Sequence, residues 1–87
     1  MHMEQKIFNE WLSERDRVVK SYDVDMFKAF YIKWQKRGVY SRLMPLPTDD
    51  IIEVSMRKMV YHMTNATEAE KAEAERWLLE HGSDTSI

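Results

Sequence analysis

Hydrophobic residues recur along most of the chain at the three- and four-residue spacing that places them on one side of an α-helix. Four segments show this pattern, and they are separated by the glycines, the prolines and the small polar residues that end or cap helices. The pattern predicts helices over residues 4–20, 24–37, 49–63 and 68–81. The residues expected to form the apolar sides of these helices are Ile7, Phe8, Trp11, Leu12, Val18, Val19, Val24, Met26, Phe27, Phe30, Tyr31, Trp34, Ile52, Met56, Met59, Val60, Met63, Ala74, Trp77 and Leu78.

Capping side chains stand where three of the predicted helices begin. Residues 21–23 offer polar caps for the second helix, and Gly38 follows its end. Thr48 precedes the third helix, while Thr67 and Glu70 have the spacing of a capping box before the fourth. The predicted boundaries therefore rest on local chemistry as well as on periodicity.

The longest segment without a helical pattern covers residues 38–48. Two of its residues, Met44 and Leu46, each precede a proline, which favours an extended backbone. Its apolar side chains are those of Val39, Tyr40, Leu43, Met44 and Leu46. We expect this segment to lie as an apolar strap across the helices rather than to form a mobile loop.

The predicted fold class is all-α, a compact bundle of about four helices with the third helix at its centre. A chain of 87 residues leaves room for one hydrophobic core, so we expect a single domain over residues 1–82 and a flexible tail over residues 83–87. A domain of this size buries only about 60–65% of its unfolded surface. Pairing with a second copy would add stability, and the sequence leaves a homodimer open.

Side chains that could carry out catalysis are scarce. The chain has no cysteine, which excludes thiolate metal sites and a cysteine nucleophile. Two glycines form no phosphate-binding loop, and three histidines stand too far apart for a metal-ligand motif. His2 receives no chemical role. We expect a protein that is not an enzyme and that holds no metal and no cofactor.

Location is indicated only by what the chain lacks. No apolar run approaches the length that spans a membrane, and the first residues do not resemble a signal peptide. We therefore expect a cytoplasmic protein. Small, cysteine-free helical proteins are common in bacteria and phages, and that analogy suggests a bacterial or phage origin.

Charge is distributed unevenly although the net charge is only −2. Residues 28–42 contain five basic residues and no acidic one, whereas residues 64–87 contain six acidic and two basic residues. A basic surface could bind nucleic-acid phosphates. The residues of this alternative function are Lys28, Lys33, Lys36, Arg37 and Arg42. The aromatic residues between them share the opposite side of the second helix and are better explained as core.

Several apolar residues lie away from the main apolar side of their helix, and these predict a surface for another protein. Methionines at the end of the third helix can adapt to partners of different shape. The predicted partner-binding residues are Ile32, Val54, Tyr61, Leu79 and Met63. We therefore expect a small interaction module, an adaptor, an inhibitor or an assembly factor, that acts on a protein whose identity the sequence does not reveal.

Overall fold

The computed structural model describes residues 4–87 and contains four α-helices. They are α1 (Gln5–Ser21), α2 (Val24–Lys36), α3 (Asp49–His62) and α4 (Glu68–Glu80). No strand occurs within residues 4–87, so the predicted all-α class and the four helices are confirmed. His2 and the first three residues of the predicted domain lie outside the described residues.

The chain divides into two compact units between Pro47 and Thr48. In the first unit, α1 and α2 are joined by a turn at Tyr22, whose φ of 54° is left-handed. Asp23 caps α2 by accepting a hydrogen bond from the backbone N–H of Met26 at 3.0 Å. The buried apolar residues of this unit are Val18, Val19, Phe27, Phe30 and Trp34.

Aromatic rings fix the start of the segment that follows α2. The backbone N–H groups of Val39 and Tyr40 both donate to the carbonyl oxygen of Trp34, at 2.9 and 3.2 Å. The ring of Tyr40 stacks on Tyr31 with centroids 4.6 Å apart, and its hydroxyl accepts a hydrogen bond from the indole N–H of Trp11 at 3.2 Å. Burial raises the pKa of the Tyr40 hydroxyl, an effect that the hydrogen bond from Trp11 opposes. This part of the predicted strap is therefore packed.

The remainder of the predicted strap behaves differently. Leu43, Met44 and Leu46 are exposed rather than packed, which corrects the expectation for these residues. Met44 and Leu46 each precede a proline, which disfavours a helical backbone at these residues. In an extended backbone, successive side chains point to opposite sides. The apolar character of this stretch therefore produces surface and not core.

In the second unit, α3 and α4 share an apolar core built from one side of each helix. Thr48 caps α3 at the backbone N–H of Ile51. Thr67 and Glu70 form the predicted capping box, with hydrogen bonds of 2.8 and 3.1 Å. The buried residues are Ile52, Met56, Val60, Met63, Ala74 and Leu78.

The predicted tail, residues 83–87, makes contacts within the second unit. The Nε2 atom of His62 lies 2.6 Å from the carbonyl oxygen of Thr85, and the backbone N–H of Ser83 donates to the carbonyl oxygen of Leu78 at 2.8 Å. Ile87 is nevertheless exposed. The predicted flexibility of this tail and the predicted single domain over residues 1–82 both stay predictions.

Candidate protein-interaction surfaces

The exposed apolar loop, residues 41–47, has a backbone held by hydrogen bonds. The side-chain amide of Gln35 on α2 donates to the carbonyl oxygens of Ser41 and Met44, both at 2.9 Å. Within the loop, the backbone N–H of Leu43 donates to the Ser41 hydroxyl at 3.2 Å. The guanidinium of Arg42 donates to the carbonyl oxygen of Lys36 at 3.3 Å. The loop is thus tied to the last turn of α2 through its backbone.

The side chains of the same loop face outwards. Leu43 is 93% exposed, Met44 59% and Leu46 40%. Single exposed apolar residues are ordinary on protein surfaces, whereas three within four positions on a held backbone form a continuous apolar projection. The periodicity gave no sign of this, because the contacts that hold the loop come from a polar side chain on α2.

A groove lies on the outer side of α2 within the first unit. The groove has a volume of about 580 Å³, and the residues that line it are Ala29, Ile32, Lys33, Lys36 and Arg37. Ile32 is 39% exposed, as expected for a residue away from the apolar side of its helix. The groove therefore combines an apolar floor with basic neighbours.

Two of the predicted nucleic-acid-binding residues are engaged by acidic side chains of α1. Lys33 forms an ion pair with Glu14, and Arg37 forms one with Glu10, both at 2.7 Å. The hydrogen bond from Arg37 lowers the pKa of the Glu10 carboxyl group. Each pair lies one helical turn from the other on both helices, so α1 and α2 run antiparallel. The basic surface is therefore partly compensated within its own unit.

These acidic partners were not predicted, although the sequence contains a signal for them. Glu10 and Glu14 are four residues apart, as are Lys33 and Arg37. Antiparallel helices joined by a short turn place two such pairs opposite one another. Lys28 and Lys36 also lie on α2, and Arg42 lies in the exposed apolar loop.

The predicted partner-binding residues of the second unit differ in exposure. Leu79 is 64% exposed on α4, and Val54 and Tyr61 are half-buried on α3. Met63 is only 6% exposed, so the expectation that it offers surface to a partner is corrected. Met63 follows α3 on the same side as Val60, which faces the core.

Tyr61 borders a second groove, with a volume of about 440 Å³, between α3 and α4. The other residues that line it are Glu68, Lys71, Ala72 and Glu75. The structure thus brings Tyr61 beside α4, while Leu79 lies one turn beyond Glu75 on the same stripe of that helix. Acidic side chains predominate along this groove.

Trp77 is enclosed between the side chains of His81 and Arg57. The imidazole of His81 stacks on it with ring centroids 3.8 Å apart, and the guanidinium of Arg57 lies 4.1 Å from its ring centre. The Nδ1 atom of His81 is also 2.7 Å from the carbonyl oxygen of Trp77. These contacts join α3 to the end of α4, which makes His81 a structural residue of this unit.

Within residues 4–87, no three histidine, aspartate or glutamate side chains form a group that could hold a metal ion. In the same part of the chain, none of the helices has both the length and the apolar composition needed to cross a membrane. The exposed apolar loop and the grooves on α2 and α4 are the candidate surfaces described above.

Comparison with known proteins adds no relative: no protein-family model, no curated protein and no solved structure matches this chain.

Proposed function

We propose that this protein is a small, non-enzymatic interaction module that inserts the exposed apolar loop into an apolar cleft of another protein. Such a module would work as an adaptor, an inhibitor or an assembly factor. The observation that carries the proposal is the combination of a hydrogen-bonded loop backbone with outward-facing Leu43 and Met44 side chains.

The physical advantage of this arrangement is preorganisation. A loop already held by the amide of Gln35 loses less conformational entropy when a partner binds it. Transfer of a leucine or methionine side chain from water to a protein interior contributes about 1.5–3 kcal/mol. Two such side chains side by side can serve as the central anchors of an interface.

Each unit also has an exposed apolar residue outside the loop that is a separate candidate for contact with a partner. Ile32 on α2 and Leu79 on α4 were both predicted to contact a partner, and both are exposed. Val54 and Tyr61 are half-buried and offer less area. A chain without cysteine suits a reducing compartment, and the cytoplasm remains the proposed location.

The test is site-specific photocrosslinking in cells that produce the protein. A benzophenone amino acid replaces Leu43 in one variant and Glu73, an exposed residue of α4, in a matched control. We expect one discrete adduct from position 43 that the control does not give. The same adducts from both positions, or none from position 43, would overturn the proposal.

A second measurement separates binding from folding. Because the Leu43 side chain is 93% exposed, Leu43→Ser should change the free energy of unfolding by less than about 0.5 kcal/mol. In a pull-down without crosslinker, the same substitution should prevent binding of the partner that the crosslinking identified. A large loss of stability would show that Leu43 serves the fold, contrary to the proposal.

A further inference from the structure

Four exposed residues of α2 form a stripe along the outer side of the first unit. They are Asp25, Ala29, Ile32 and Lys36, and we name them the α2 stripe. Their spacings of four, three and four residues keep them within an arc of about 60° on a helix with 3.6 residues per turn. The middle pair, Ala29 and Ile32, lines the groove on this helix.

The order of the α2 stripe is self-complementary. When a second α2 lies antiparallel against the first, Asp25 of each copy faces Lys36 of the other, and Ala29 faces Ile32. An aspartate then lies opposite a lysine at each end of the contact. In the middle, each isoleucine lies opposite an alanine. A two-fold axis between Ala29 and Ile32 generates all four contacts, as an isologous dimer requires.

Size and charge both suit this contact. Alanine lets two helices approach to the usual interaxial distance of about 8–10 Å, and the Ile32 side chain can then enter the notch above Ala29. Among the described residues, the structure gives the Asp25 and Lys36 side chains no ion pair within the chain. Their charges are therefore available to fix the register of the pair.

The same register brings Lys28 of the two copies together at one edge of the stripe and Lys33 of the two copies together at the other edge. The repulsion at the second edge is reduced because Glu14 already holds Lys33 at 2.7 Å. The remaining like-charge contact lies at the edge of the stripe, where solvent screens it. The ion pairs at the two ends of the stripe are not opposed by any other charge on it.

We propose that the α2 stripe is the interface of a two-fold homodimer, with antiparallel α2 helices in contact across Ala29 and Ile32. This surface is separate from the exposed apolar loop, so it does not depend on the proposed function. Occupation of the groove by a second α2 would also cover the exposed part of Ile32.

The test uses two single charge reversals, Asp25→Lys and Lys36→Asp. Alone, each variant places like charges at both ends of the stripe, so we expect each to weaken dimerisation by roughly tenfold or more. Mixed together, the two variants restore both ion pairs in a heterodimer. Sedimentation velocity and native mass spectrometry should show the wild-type dimer, mostly monomeric single variants and a heterodimer in the mixture.

Control variants make the outcomes decisive. Circular dichroism of each single variant should retain the wild-type helix content, since both positions are exposed. Glu73→Lys, an exposed reversal on α4, should dimerise like the wild type. A monomeric wild type at roughly millimolar concentration, or a mixture no more associated than its components, would overturn the proposal. Leu43→Ser should leave the dimer intact, so failure of this interface and failure of the loop are distinguishable.

Discussion

The side-chain amide nitrogen of Gln35 lies 2.9 Å from the carbonyl oxygen of Met44, nine residues later in the chain. The same nitrogen also donates to the carbonyl oxygen of Ser41. A single helical side chain therefore holds the exposed apolar loop at two points of its backbone. Its removal should alter the loop without disturbing the helices.

Gln35→Glu replaces both donated hydrogen bonds by repulsion between a carboxylate and two carbonyl oxygens. We expect a loss of about 1–2 kcal/mol in the free energy of unfolding, measured by urea denaturation, and faster amide exchange at Leu43 and Met44. Gln5→Glu is the matched control, because within residues 4–87 the side-chain amide of Gln5 donates to the Asn9 side chain on α1 and not to the loop. Equal effects of the two substitutions would contradict the role assigned to Gln35.

The pKa of the Glu10 carboxyl group makes the first unit sensitive to acid. The hydrogen bond from Arg37 lowers this pKa in the folded state from the ordinary value of 4.5. The folded state therefore binds the proton less readily than the unfolded state, and the stabilisation is present above pH 4.5 and is lost as the pH falls through the lowered pKa. Melting temperatures of the wild type and Glu10→Gln should differ at neutral pH and converge in acid.

High salt provides the control for the Glu10 experiment. Because this ion pair is exposed, screening at about 1 M NaCl should reduce the difference between wild type and Glu10→Gln at neutral pH. A difference that persists in acid and in salt would show that the substitution acts through packing instead.

The ion pairs to Glu10 and Glu14 should also oppose nucleic-acid binding. We expect no measurable binding of random duplex DNA at about 50 mM salt, where an effective basic surface would bind with roughly micromolar affinity. Glu10→Gln combined with Glu14→Gln should increase any residual binding, because it releases Lys33 and Arg37. Wild-type binding with a steep salt dependence in fluorescence anisotropy would support the alternative function.

Met63 and Leu79 offer a direct comparison of buried and exposed apolar residues. Met63→Ala should cost about 2–5 kcal/mol of stability, since the side chain is 6% exposed. Leu79→Ala should change stability by less than about 0.5 kcal/mol, because that side chain is 64% exposed. Chemical denaturation of both variants measures the two changes in the free energy of unfolding. Similar losses of stability would contradict the difference in burial between Met63 and Leu79.

The helices were predictable because each carries both periodicity and capping chemistry. Thr67 and Glu70 show this best, since the capping box read from the sequence is present in the structure with both hydrogen bonds. Every predicted helix boundary lies within one residue of the observed one. Local rules were sufficient for this level of structure.

These local rules did not predict the exposed apolar loop. Hydrophobic residues usually indicate core, and the sequence alone does not show that the Gln35 amide holds the backbone while Leu43 and Met44 face solvent. Met63 illustrates the reverse case, because the sequence placed it on the same apolar side as Val60 and also suggested it as a partner contact, and only its burial shows that it belongs to the core. Tertiary contacts decided both outcomes.

The tryptophans provide a separate optical reporter for each half of the chain. Trp34 is fully buried and Trp11 half-buried in the first unit, while Trp77 is stacked against His81 in the second. A variant that keeps Trp77 and replaces the other two by phenylalanine would emit only from the second unit. Comparison of its denaturation curve with that of the wild type, which also emits from the first unit, could then distinguish one cooperative melting event from two successive ones.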